Sequence, residues 1–411
     1  MTVLHPFQSG LTLLFERRPG PGFALELRLP LGAAHDPAGQ EGTAAVLEEW
    51  LHKGAGNLDA RALADAFDDL GLRRGGSVTH ESTRFSVSGL RSDFPRALTL
   101  LADVVRRPHL QDGELTSVLD LARQDLESLA DSPADQLAVR LRELAFARPY
   151  AHPVSGTLAG IAAITPETAR AFHSRYGSRG AALAVVGDFE EQVVHDLVTV
   201  HFGDWQGGGQ ELPAVIFQGD FVRHQPDDSQ QTHINVLFRS PGPTEPGWLA
   251  FHVALGALAG GSASRLFEEV REKRGLAYSV GASVHVTGRD GFVWAYAGST
   301  PGRAAQTLDV LLNEFARLRQ GVTSEEFERA RTQLLAATVF AAETARGRAS
   351  ALTRDWLTLG AVRALGEVRR DLEALTLADV NELLAERPFE RPAVMSLGQG
   401  AVLRNGAHAL A

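Results

Sequence analysis

The run Leu183-Ala184-Val185-Val186-Gly187, apolar and closed by glycine, returns 211 residues later as Val394-Met395-Ser396-Leu397-Gly398. Working outward from it, four more pairs appear in the same order. Asp36-Pro37 is matched by Glu245-Pro246, each after an apolar run and before a helix-like segment. The strand-like Phe85-Ser86-Val87-Ser88-Gly89 is matched by Val293-Trp294-Ala295-Tyr296-Ala297-Gly298. Gln111 to Leu115 corresponds to Thr323 to Phe327, where a cap residue precedes acids in a first helical turn. Thr165-Pro166-Glu167 is echoed by Thr376-Leu377-Ala378-Asp379. One such pair means little, because glycines ending strands are common. Five in one order, at offsets between 209 (36 to 245) and 212 (114 to 326), indicate an internal duplication.

Each half reads strand, strand, helix, helix, strand, strand, long helices, strand. The helices carry leucine and valine at helical spacing, as at Leu98, Leu101 and Val104, then Leu308, Leu311 and Leu312. That order predicts an α+β fold: two homologous α/β domains, each a mainly antiparallel sheet with helices packed on one face. The expected domains are residues 1–205 and 219–411, joined by a glycine-rich linker at 206–218. The polar stretch Gln206-Gly207-Gly208-Gly209-Gln210 is the natural boundary and a candidate hinge.

Composition narrows the function classes. With 44% hydrophobic and 22% charged residues the chain is an ordinary globular one. No apolar run reaches the roughly 18 to 20 residues of a membrane span, and Met1 to Gly10 lacks the pattern of a secretory signal. There is no cysteine, hence no disulfide framework and no thiolate nucleophile or ligand. A net charge of −10 argues against a nucleic-acid partner. The expectation is a cytoplasmic protein with neither membrane nor nucleic acid among its partners.

The segment Gly42-Thr43-Ala44-Ala45-Val46-Leu47-Glu48-Glu49-Trp50 has the frame of an inverted zinc helix, H-x-x-E-H. In that frame two histidines hold the metal and the glutamate activates water. Here Ala45 and Glu49 stand at the histidine positions and Glu48 keeps the acid. Residues at i, i+3 and i+4 share a helix face, so Ala45, Glu48 and Glu49 are expected to point the same way. Taken alone, two adjacent acids over the buried stripe Ala44, Leu47 and Leu51 also describe a solvated helix face.

The surroundings favour the first reading. Gly32-Ala33-Ala34-His35-Asp36-Pro37, Gly42, the helix and then Lys53-Gly54 closely resemble the catalytic-helix region of the pitrilysin-type zinc peptidases. That family includes insulin-degrading enzyme, mitochondrial processing peptidase and bacterial two-domain homologues. The resemblance continues through Leu63 to Gly71, Thr83 to Gly89 and Glu114 to Leu129. It implies a third ligand on the last of these, where Asp125 stands 76 residues beyond Glu49. Gly75 occupies a position where the family commonly has an asparagine near the substrate. A catalytic zinc normally has three protein ligands, with imidazole and thiolate preferred. The set Ala45, Glu48, Glu49, Asp125 therefore reads as a degenerate site. Its carboxylates leave open only a weak site for a hard cation such as magnesium or calcium.

The second half carries the most specific match, Ala259-Gly260-Gly261-Ser262-Ala263-Ser264-Arg265-Leu266-Phe267-Glu268-Glu269-Val270-Arg271-Glu272-Lys273-Arg274-Gly275-Leu276-Ala277-Tyr278-Ser279-Val280. It reads as a glycine-rich loop, a serine-capped helix with a basic last turn ended by Gly275, and a strand. The resemblance assigns Arg271 and Tyr278 to substrate binding and transition-state support beside the scissile bond. Arginine offers a planar fork of donors, and a tyrosine hydroxyl can donate to a developing oxyanion. The histidines His80, His233 and His285 have no i, i+4 histidine partner and read as structural.

Family members of this size are half-clamshells that pair around a peptide chamber. The resemblance thus implies a non-catalytic, substrate-binding subunit, inactive alone and binding no cofactor itself. A homologous partner would carry the zinc and complete a heterodimeric metallopeptidase acting on peptides. The alternative is a catalytically inactive structural or assembly homologue that forms a homodimer, like the core proteins sharing this fold. A third reading, a stand-alone hydrolase using Glu48, Glu49 and Asp125 with an unusual metal, has the least support.

Overall fold

In the computed structural model, which describes residues 2–386 and 389–400, the chain forms two compact units. The first holds the residues up to Glu127, then His152–Pro213 and Phe340–Ala364. The second holds Ser128–Ala151, Ala214–Val339 and the chain from Leu365 onward.

The first unit is built on a six-stranded sheet. Its order is Thr2–Pro6, Thr12–Arg17, Ala182–Gly187, Gly22–Leu29, Thr83–Leu90 and Arg73–Val78. All neighbours are antiparallel except Thr12–Arg17 with Ala182–Gly187. Successive strand residues face opposite sides, so Phe23, Leu25 and Leu27 line one face and Ala24, Glu26 and Arg28 the other. On the first face Phe94, from the helix Phe94–Arg106, meets Phe23 edge-on with centroids 5.6 Å apart.

The other face is covered by a helix from the far half of the chain, Ala345–Leu359. Its Ala349 and Leu352 pack on Leu14, Ala24, Ala182, Ala184 and Val186, a floor of small residues that lets the helix come close. Polar contacts fix its register. Arg348 donates to both oxygens of Glu16 at 3.0 and 2.8 Å, and Thr353 donates to Glu26 at 2.5 Å. Glu26 is buried, and the guanidiniums of Arg28 at 2.8 Å and Arg84 at 3.5 Å compensate its charge.

The second unit repeats the plan with five strands, ordered Ala277–Thr287, Asp290–Ser299, Thr232–Ser240, Ala393–Gly398 and Phe221–Pro226. Again one pair, Ala393–Gly398 with Phe221–Pro226, is parallel. Phe238 packs against Phe315 on one face, centroids 4.7 Å apart. The opposite face receives Pro133–Ala145, a helix of the first half. Phe146 at its end meets Phe292 at 4.9 Å, and Arg142 lies over the Trp294 ring at 5.5 Å.

The exchange is reciprocal and keeps the repeat: the crossing segments begin at Ser128 and Phe340, an offset of 212. It revises the expectation of helices on one face only. Both faces of each sheet are covered, which is why every residue of Ala182–Gly187 and of Ala393–Gly398 is buried. Gly207 to Gly209 are not a free tether either. The Arg179 N–H donates to Gly207 O at 2.9 Å, and a bridge joins Arg179 to Gly208. A side chain on Gly177 would strike the Gly207 backbone. Among the described residues no helix is long and apolar enough to cross a membrane.

Candidate functional site: a helix without donors and an armed turn

The helix Thr43–Trp50 begins at Gly42, whose φ of +110° suits glycine. Its first turn is capped from a distance. The fully buried Asp36 carboxylate accepts the N–H groups of Gly42 at 2.7 Å and Ala44 at 2.8 Å. An acid at a helix N-terminus satisfies orphan donors and opposes the helix dipole. His152 stands 3.7 Å from the same carboxylate. At the other end Trp50 is buried and donates to Gln111 O at 3.2 Å.

The three positions expected to share a face diverge. Ala45 is half-buried and offers no donor atom, while Glu49 is exposed. Glu48 is buried and turns onto the edge strand Arg73–Val78, where a Cβ on Gly76 would lie 1.4 Å from its Oε1. His52, one turn on, places Nε2 3.5 Å from the same oxygen. The solvated-face reading thus holds for Glu49 and fails for Glu48. Asp125 is exposed on Asp112–Ser128. Tyr176 belongs to this buried surround: burial pushes its hydroxyl pKa up, and the charges of Glu48 and Asp36 add to that. His52 and Tyr176 were not singled out from sequence. Only the i, i+4 spacing of Glu48 and His52 hinted at the first, and nothing local marks the second. Among the described residues no group of three or more His, Cys, Asp or Glu converges as a metal shell. His80 is structural, buried with its ring bonded to His152 O at 2.8 Å.

The second half holds its residues differently. After the glycine loop the chain winds into a π-helix, Phe267–Glu272, instead of a regular capped α-helix. The Ser264 hydroxyl donates back to Gly261 O at 2.6 Å rather than capping forward. Gly275, at φ +57°, ends the turn with the Leu276 N–H on Val270 O at 2.8 Å. The wide turn brings the Arg271 guanidinium over two rings, 4.7 Å from the Phe267 centroid and 4.8 Å from that of Tyr278. Tyr278 lies within a bulge of the edge strand Ala277–Thr287, where the register slips between Ala277 and Ser279. Bulges re-aim side chains, and this tyrosine is 78% exposed.

The base of the segment is tied down by charge. Arg265 grips Glu326 with two bonds of 2.6 and 2.7 Å and also reaches Gly321 O at 2.9 Å. The Arg265 bond holds the Glu326 carboxyl down at about 2. Arg274 and Lys273 do the same for Glu269, also to about 2.

Comparison with known proteins places the chain in a family. Residues 13–158 match the model of insulinase, peptidase family M16, and residues 163–334 match that of the peptidase M16 inactive domain. An uncharacterized zinc protease of Mycobacterium bovis is 30% identical over 363 residues, covering 85% of this chain and 82% of the relative. The chain belongs to peptidase family M16. An uncharacterized zinc protease of Mycobacterium leprae is 29% identical over 95% of this chain and 90% of its own length. In fold the M16 chain resembles a crystal structure described as the peptidase M16 inactive domain from Pseudomonas fluorescens. That likeness has a TM-score of 0.90, with 22% identity over 98% of both chains. A protease from Helicobacter pylori is similar at TM-score 0.88 and 19% identity, over 97% of this chain and 99% of the other.

The zinc that the M16 family implies does not fit the residues this helix offers. Position 45 brings a methyl group, Glu48 is buried against Gly76 with His52 at 3.5 Å, and Glu49 and Asp125 bring only oxygens.

Proposed function

We propose that this M16 chain is the substrate-binding, non-hydrolytic subunit of a composite zinc peptidase acting on peptides. One observation carries the reading. Arg271, on the π-turn, lies over the ring of Tyr278, which a bulge presents on the edge strand, while the helix Thr43–Trp50 carries no imidazole at its ligand positions.

In this reading Arg271 engages carbonyls or a carboxylate of the peptide through its planar fork. The Tyr278 hydroxyl donates to the oxygen that gains charge as the carbonyl becomes tetrahedral, an interaction stronger in the transition state than in the ground state. A homologous subunit with an intact helix supplies metal, water and general base. The setting is the cytoplasm, where a chain without cysteine needs no oxidising environment.

The test is hydrolysis of a quenched fluorescent peptide with zinc, by this chain alone and by its mixture with a zinc-helix homologue from the same cell. Cleavage by the mixture only supports the proposal. A chain that remains a homodimer and adds nothing to the homologue supports a structural role instead.

A further inference from the structure

Away from the helix and the armed turn, the first unit contains an open cavity of about 500 Å³ at one end of its sheet. Its walls come from four separated stretches: the loop after Thr12–Arg17, the start of the strand Arg73–Val78, Ser88 and Gly89, and the first turn of the exchanged helix Ala345–Leu359. Three guanidiniums line it, those of Arg18, Arg73 and Arg346, and no Asp or Glu side chain does. In a chain of net charge −10 that is a local reversal of sign.

The three arginines are held differently. Arg18 is fixed, donating to the carbonyls of Ala342 at 2.6 Å and of Glu343. Arg346 reaches toward the edge strand, its Nη2 3.4 Å from where a Cβ on Gly75 would sit. Arg73 and Arg346 are exposed and enter none of the ion pairs described above. The exchanged helix adds a weaker contribution of the same sign. Thr344 Oγ1 takes the Gly347 N–H at 3.0 Å, leaving the earlier amides of that turn, at Ala345 and Arg346, without an intrahelical acceptor. The floor is apolar where Phe23 and the prolines of the loop meet it.

We propose that this cavity is a binding site for a ligand carrying several negatively charged oxygens, held by the forks of Arg73 and Arg346 around the fixed charge of Arg18. Arginine forks match carboxylate and phosphate oxygens in pairs. The volume is that of a small-molecule or short-peptide site, about 300–1,000 Å³, larger than one phosphate needs. Two sources share this chemistry: the carboxylates of an acidic peptide end, and a free oligophosphate. The site does not depend on Arg271, Tyr278 or a second subunit, so it stands or falls apart from the proposed function.

The experiment is fluorescence anisotropy on the full-length chain alone, without zinc or partner. One probe is fluorescein-labelled Gly-Asp-Glu-Asp with a free C-terminus, and the control is its amidated Gly-Asn-Gln-Asn counterpart. Unlabelled tripolyphosphate, followed by calorimetry, forms the second arm. The expected result is saturable, salt-weakened binding of the acidic peptide, the tripolyphosphate or both, with the neutral control not binding. Arg73→Ala and Arg346→Ala, both at exposed side chains, each weaken it about tenfold or more, while Arg73→Lys retains part of the affinity. Which arm binds identifies the source. Absence of binding in both arms overturns the proposal, as does binding that survives the Arg73→Ala, Arg346→Ala double variant while circular dichroism shows the fold intact.

Discussion

The helix Thr43–Trp50 and the turn Phe267–Glu272 are held in opposite ways. The helix is anchored at both ends through buried side chains, Asp36 on its first amides and its own Trp50 on Gln111 O, yet no metal-binding imidazole stands at its ligand positions. The turn is less buried and irregular: Arg271 sits half-buried on it, and Tyr278 reaches the surface on a bulged edge strand. A scaffold can outlast its chemistry, because the contacts that fold a helix are not those that bind a metal. Conversely, a π-turn and a bulge carry no obvious folding advantage, and such irregularities concentrate at functional sites.

Four perturbations break or sharpen this contrast, the first three in order of expected size. Asp36→Ala removes a buried carboxylate from two amides and from the neighbourhood of His152. It is expected to cost about 3 kcal/mol or more, read as a lowered denaturation midpoint. Gly76→Ala drives a methyl into the Glu48 carboxylate and is expected to cost about 1–3 kcal/mol. Adding Glu48→Ala should return much of that loss, so a double-mutant cycle in urea shows whether Glu48 is packed as described. Tyr278→Phe, at an exposed site, is expected to shift stability by less than about 0.5 kcal/mol. A large loss there would mean the tyrosine is part of the fold and not of a site.

The fourth is a pH dependence confined to acid. Glu326 has a folded pKa of about 2, below its ordinary value of 4.5. Its contribution is therefore fully present above about 4.5 and is lost as pH falls from there toward 2. Glu326→Gln should lower stability above about pH 4.5, where that contribution is present, and flatten the profile between 4.5 and 2. An unchanged slope would show that Arg265 does not hold this carboxylate in solution.

Much of the architecture was legible because it is local or periodic. The repeated glycine-closed runs are the buried strands Ala182–Gly187 and Ala393–Gly398. Gly275 ends its turn as its residue type foretells, and the alanine at position 45 needs no structure to show that it lacks a ligand atom. What was not legible depends on contacts between distant residues. The amphipathic patterns of Pro133–Ala145 and Ala345–Leu359 say that each helix packs, not which sheet it packs on. Asp36 caps a helix whose first residues lie six to eight positions away, outside the usual capping spacing. The shared direction expected of Glu48 and Glu49 failed because adjacent helix residues are about 100° apart, enough to send one onto Gly76 and the other to solvent. The bulge at Tyr278 and the arginine-lined cavity involve pairings that no window of sequence contains.

The most direct measurement is cleavage of a quenched fluorescent peptide by an equimolar mixture of this chain and a zinc-helix homologue, repeated with Arg271→Ala and Tyr278→Phe in this chain. The composite-site account predicts cleavage by the mixture alone, falling about 10²–10³-fold with Tyr278→Phe and comparably with Arg271→Ala, with both variants still folded and still pairing. Equal cleavage by wild-type and variant mixtures, or cleavage by this chain in the absence of the homologue, would contradict it.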